Sequence, residues 1–458
     1  MNLDARDVPV SGASAKALEG YETALTQFQS YVGDPVATLD ATLAEAPGFV
    51  MGHLFKALAL FTSSEKQFVP MAEAALAEAV RHLAGATERE RALAAATRRI
   101  LDGDWDEGSR QLDRILVEHP RDALVIQVGH LMDFYRGDSL NLRNRISRVL
   151  PQWDESVPGY SYLLGMHAFG LEEMNQYAEA EATGRRALEL QRKDGWALHA
   201  VTHVMEMQGR VDEGIAWLET RQDDWAPDNN FAFHNWWHLA LFYLDAPDYK
   251  RALELYDAAI HPQPAQYVLP LVDATAMLWR LHLEGVDLGS RFEAVADDWQ
   301  ARQARDQGFY AFNDFHALLA FAATGRYADM TRQLDDLAAA ARQEGSNGMM
   351  SREVGLPLAH GIVAFARGQY AAAIDFIEPV RDIAHRFGGS HAQRDLLSLT
   401  LIEAALRGNQ PAHARHYLAE RQVHKPNSAW RRRLAARLPA AQSGSKVELA
   451  SYRRVVTV

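Results

Sequence analysis

Two histidine pairs at helical spacing stand in the middle of the chain, His199 with His203 and His234 with His238. On a helix, residues four apart share one face, so each pair presents two imidazoles to one metal ion. Around the first pair, Trp196, His199, His203, Glu206 and Arg210 follow one another at intervals of 3, 4, 3 and 4. At about 100° per residue all five fall on one face, and Glu206 offers a third ligand one turn on. The glutamate that follows the first histidine of zinc-hydrolase helices has no counterpart, since Ala200 stands there. Without a metal, His199, His203 or His238 paired with Glu206 is still equipped for proton transfer near neutral pH. Trp236 and Trp237 sit inside the second pair, in FHNWWHLALFYLD. Three accounts compete for this His–Trp set. It is a packed crevice, a pocket where indole and imidazole hold a small organic molecule or peptide, or a metal or acid–base centre. Its density, against a background of Ala, Glu, Arg and Gln, favours the ligand pocket, with an enzyme of hydrolase or lyase type, metal-dependent or not, and a protein–protein interaction scaffold as the alternatives.

These side chains need helices to position them, and the chain announces them by a recurring mark. An Ala-rich stretch ends in two polar or Gly residues, an apolar residue follows, and a second Ala-rich stretch begins. The apolar residues are Trp105, Ser139 (polar in this one case), Tyr177, Val211, Tyr249, Tyr327 and Tyr370, with successive spacings of 34, 38, 34, 38, 78 and 43. Leu288 divides the long interval. A period of about 34–40 residues is the signature of stacked helical hairpins. The expected fold is an all-α, right-handed superhelical solenoid of about ten tetratricopeptide-like hairpins over residues 15–439. An N-terminal arm (1–14) and a Gly/Ser-led tail (440–458) flank it. The central hairpins are Tyr160–Met174 with Ala178–Gln191, Gly195–Gln208 with Val211–Arg221, and Phe231–Leu244 with Lys250–Ile260. Ala180, Gly214 and Ala252 should let paired helices approach closely. Segments 223–230, 261–266 and 342–351 read as loops.

Later segments offer further ligand-binding candidates: Asp314 and His316, then His391, Gln393 and Asp395. Ser390 reads as an N-cap. These residues reach the central set only if the superhelix curls back on itself.

The chain has 458 residues, a formal net charge of −13 and no cysteine. Thiolate chemistry and disulfides are excluded. The acidic balance argues against nucleic acid and anionic membranes as partners. Phosphate-loop, dinucleotide-binding and nucleophile-elbow motifs are missing, so no nucleotide cofactor is expected; a divalent metal remains open. No secretion signal or membrane span is legible, which makes the cytoplasm the expected compartment. Arg431–Arg433 reads as a solvated basic face, and homo-oligomerisation is a further expectation.

The blocks HAVTHVMEMQGR (199–210), WWHLALFYLD (236–245), GGSHAQRDL (388–396) and GLEEMNQYAEAEATGRRALEL (170–190) resemble the tetratricopeptide repeat protein 38-like family. The resemblance covers roughly residues 20–435. It implies an all-α superhelix of degenerate tetratricopeptide units and no particular activity. Peptide-clamp versions of such repeats hold acidic peptide ends with Lys and Asn, whereas this face offers His, Trp and Glu.

Overall fold

Helices account for almost all of the regular structure, as the Ala-rich periodicity requires. The computed structural model describes residues 2–306 and 308–438. The expected hairpins are present: Tyr160–Glu173 with Tyr177–Leu190, Gly195–Gln208 with Val211–Glu219, and Ala232–Asp245 with Tyr249–Leu255. The last of these continues through one wider turn, Tyr256–Ile260. Tyr177, Val211 and Tyr249 each pack at the root of a hairpin. Ala180 and Ala252 are fully buried. Gly214 makes room for the next hairpin instead of its own partner helix: a Cβ there would lie 2.2 Å from Phe242 Cζ.

Three local expectations need correction. The N-terminal arm is not irregular throughout: Asn2–Leu3 pairs antiparallel with Pro9–Val10, and Ser11 donates to Glu90 at 2.6 Å. The expected loop 342–351 becomes helical at Ser346–Met350. The basic run is not simply solvated, because Arg433 donates to the carbonyls of Leu244 and Asp245, both at 2.8 Å. The proposed tail at 440–458 lies outside the described residues.

The superhelix closes. Residues 31–33 meet the 229–231 loop, with Val32 bridged to Asn229 and Asn230 N–H donating to Tyr31 O at 2.8 Å. Buried Arg302 pairs with buried Glu65 at 2.8 Å. Tyr310 Oη donates to Tyr135 O at 2.9 Å. At Gly137 (φ +61°) an added Cβ would lie 1.7 Å from His385 O, so backbone meets backbone across the seam. The C-terminal helix His391–Arg407 packs against Gly195–Gln208 and Val268–Leu283, where Arg280 donates to Ala392 O at 2.7 Å. Residues from both ends of the chain therefore cover the central hairpins, and an open concave face does not exist there.

Candidate functional site

The Gly195–Gln208 helix starts on Asp194, whose carboxylate accepts the N–H groups of Trp196 and Ala197 at 3.1 and 2.9 Å. That cap sets the helix rotation, which turns His199 and His203 inward. The neighbouring Ala232–Asp245 helix turns His234 and His238 toward them. One ring nitrogen from each of the four lies within 4.8 Å of the others. Ring centroids are 4.4 Å apart for His199–His203 and His203–His238, and 4.8–5.0 Å for the remaining close pairs. His203 and His238 are fully buried, and His199 and His234 are nearly so.

Carboxylates stand behind three of the rings. Asp273, on the Val268–Leu283 helix, is 2.6 Å from His234 Nδ1. Glu206 is 2.9 Å from His238 Nδ1, and Glu172, at the end of the Tyr160–Glu173 helix, is 3.5 Å from His203 Nδ1. Carboxylate contacts of this kind orient metal-binding imidazoles and raise their basicity. The opposite ring atoms have nothing to bond: His238 Nε2, and both nitrogens of His199 and of His203, are buried without a hydrogen-bond partner. Buried polar atoms without partners cost on the order of 1–3 kcal/mol each. Each neutral ring offers one nitrogen lone pair, so His199, His203 and His238 present three that fit one cation.

Burial, with mutual repulsion among the imidazoles, holds His199 and His203 well below the ordinary imidazole range. Burial likewise brings His238 to about 4, although the hydrogen bond to Glu206 opposes it. His199, His203 and His238 are therefore neutral at pH 7, the state in which imidazoles ligate metals. Burial pushes Glu206 up, but Lys425 at 2.6 Å and the His238 hydrogen bond together outweigh it, and the carboxylate stays ionised. Lys425 also lies 3.5 Å from Asp395, which Arg421 grips with two bonds of 2.9 Å.

Aromatic rings wall the cluster. Trp237 stacks on His234 at 5.3 Å, with Arg280 over its indole at 5.2 Å. Trp196 packs on His199 and Phe169, each at 5.0 Å, and on Tyr31 at 5.9 Å.

The structure sorts the sequence candidates. His199, His203, His234 and His238 come together, with Trp196, Trp237 and Glu206 beside them. Glu206 acts behind His238, not as a third ligand with His199 and His203, because Lys425 and His238 take its oxygens. Trp236 faces the other way, against Trp225 at 4.6 Å. Arg210 leaves the shared face to pair with Glu181 and Glu213. Asp314 bonds Gln333 at 2.9 Å, and His316 bonds Phe312 O at 2.8 Å; neither joins the cluster. Gln393 closes a capping box with Ser390, which occupies its side chain. His391 binds the backbone carbonyl of Glu173 at 3.0 Å. Asp395 reaches the site only through Lys425. Asp273, Lys425 and Glu173 are not singled out by the sequence. A lone Asp in the apolar run VLPLVDATAMLW was the legible sign of Asp273; Lys425 had none.

Fold and site together define a closed superhelix of tetratricopeptide-like hairpins built around a buried four-histidine cluster. No family model matches the chain. Among solved structures, a tetratricopeptide repeat protein from Parabacteroides merdae is 13% identical, with a TM-score of 0.35 over 60% of this chain and 98% of that one. The human IFIT1 dimer with m7Gppp-AAAA is 13% identical, with a TM-score of 0.44 over 93% and 95%. Yeast Tom70 is 12% identical, with a TM-score of 0.36 over 92% and 86%. Among the described residues no helix is long and apolar enough to cross a membrane.

Proposed function

We propose that the protein is a metalloprotein that holds a divalent transition-metal ion among His199, His203, His234 and His238. One observation carries the reading: four imidazoles converge within 4.8 Å, while His199 and His203 have no hydrogen-bond partner on either ring nitrogen. An all-imidazole set suits zinc, iron, copper or nickel better than calcium or magnesium. Asp273 and Glu206 would fix His234 and His238 through Nδ1 and leave Nε2 for the ion. Four protein ligands complete the tetrahedral set of a closed site, whereas a catalytic ion keeps one position open for water or substrate. The reading is therefore of an ion held inside the core. Enclosure also speaks against a scaffold, which needs an open groove. The small-molecule groove expected from sequence is not part of this reading, because its walls are packed against one another.

The test is the metal content of tag-free protein purified without chelator, and of the apoprotein reloaded separately with Zn2+, Fe2+ and Co2+. At least one equivalent is expected in the wild type, lost in His199→Ala and His238→Ala with helicity retained. Less than a tenth of an equivalent under every loading condition overturns the proposal.

A further inference from the structure

Charge balance at the helix ends near the cluster leaves one carboxylate unaccounted for. Glu206 lies in the last turn of Gly195–Gln208, and Glu172 and Glu173 lie in the last turn of Tyr160–Glu173. A helix C-terminus carries about half a negative charge, so buried carboxylates there need cations. Glu206 has Lys425 at 2.6 Å. Glu173 has Arg394 at 3.3 Å and the backbone N–H of His391 at 2.8 Å. Glu172 has neither. It is fully buried, and both of its oxygens lack a hydrogen-bond partner. His203 Nδ1 lies 3.5 Å away, itself without a hydrogen-bond partner.

We infer that a second divalent cation binds between Glu172, Glu173 and His203, so that the centre is dinuclear and His203 joins its two halves. One ligand atom from each of these three residues lies within 4.8 Å of the others. The two nitrogens of an imidazole point in opposite directions, and both nitrogens of His203 are free. A bridging ring is an imidazolate, so binding of the second ion would release the remaining N–H proton of His203 to solvent; one nitrogen then serves the four-histidine site and the other the carboxylate site. The two halves differ in chemistry. Four imidazoles make one nitrogen-rich, whereas two carboxylates and one imidazole make the other oxygen-rich and suited to a harder ion such as Mn2+ or Fe2+. The second ion would answer the Glu172 charge as Lys425 answers Glu206 and Arg394 answers Glu173.

This inference rests on the four-histidine reading, and stoichiometry separates the two. Apoprotein is loaded with Zn2+, and in a second series with Mn2+, and bound ions are counted by native mass spectrometry and by elemental analysis after desalting. Two ions per wild-type chain are expected in at least one series. Glu172→Gln, which keeps the shape and removes the charge, should hold one. His203→Ala should lose the second ion and weaken the first by tenfold or more. One ion in both wild type and Glu172→Gln overturns the second site and leaves the first standing, as does one ion in wild type should Glu172→Gln not fold. Two ions retained in Glu172→Gln also overturn it. No ion in any protein overturns both.

Discussion

Lys425→Met tests the closure of the superhelix, because Lys425 comes from the C-terminal segment and Glu206 from the middle of the chain. The lysine is 7% exposed and lies 2.6 Å from Glu206 and 3.5 Å from Asp395. Methionine preserves most of the side-chain volume and removes the charge. Breaking a buried ion pair from one side costs about 3–5 kcal/mol, because the remaining charge stays buried. Asp395 keeps Arg421 and Glu206 keeps the His238 hydrogen bond, so the expected loss is at the lower end, about 3 kcal/mol, or roughly a hundredfold in the unfolding equilibrium. The loss has a sign in pH. Glu206 is held well below its ordinary value of 4.5 in the native protein, so it stabilises the fold above about pH 4.5, and that contribution fades as pH falls through the depressed native value. Without the ammonium, burial dominates and the carboxyl titrates higher. The wild-type advantage should therefore be full at pH 7 and shrink toward acid pH. Urea unfolding, followed by circular dichroism and tryptophan fluorescence at pH 7 and pH 5, measures it. Glu206→Gln combined with Lys425→Met should cost clearly less than the sum of the single changes. A Lys425→Met protein within about 0.5 kcal/mol of wild type at pH 7, about the scatter of an ordinary surface substitution, would refute the closed arrangement, as would a loss independent of pH.

Three further outcomes are expected. Gly214→Ala places a methyl 2.2–2.5 Å from the Phe242 ring and should destabilise by about 1–3 kcal/mol through overpacking; an unchanged thermal midpoint would show that the hairpin register is wrong. Asp273→Asn removes the carboxylate 2.6 Å from His234 and should weaken Zn2+ binding by about 10–100-fold, read by competition with a chromophoric chelator, with global stability nearly unchanged. Burial pushes Asp314 up to about 7, against the Gln333 hydrogen bond. The folded protein then holds a proton that the unfolded chain has released, so stability falls as pH rises from about 4 to about 7. Asp314→Asn should flatten that limb and be the more stable protein at pH 8; an unaltered pH profile would contradict this.

Local structure was legible because its causes are local. Helical periodicity, turn residues such as Gly209 and the Ser390 cap marked hairpins and ends to within a few residues. The i, i+4 spacing alone pairs His199 with His203 and His234 with His238, and repeat order makes their helices neighbours. The same logic misjudged residues whose fate depends on what approaches from elsewhere. Arg210 fell on the shared face by angle but was drawn off by Glu181 of the preceding hairpin. Trp236 was claimed by Trp225, and Gln393 was consumed by its own helix cap.

The sequence by itself determined an all-α chain of stacked hairpins with four imidazoles on two adjacent inner faces, since periods of 3.6 residues and of about 36 residues are both written in residue order. Only the tertiary structure decided that those faces are enclosed, that Asp273 and Lys425 stand behind the histidines, and that Glu172 is left without a cation. The physical reason is accumulation. Closure follows from small rotations added over many repeats, each set by packing between neighbours. Where Gly137 meets His385, or Lys425 meets Glu206 across 219 positions, no local pattern encodes the encounter.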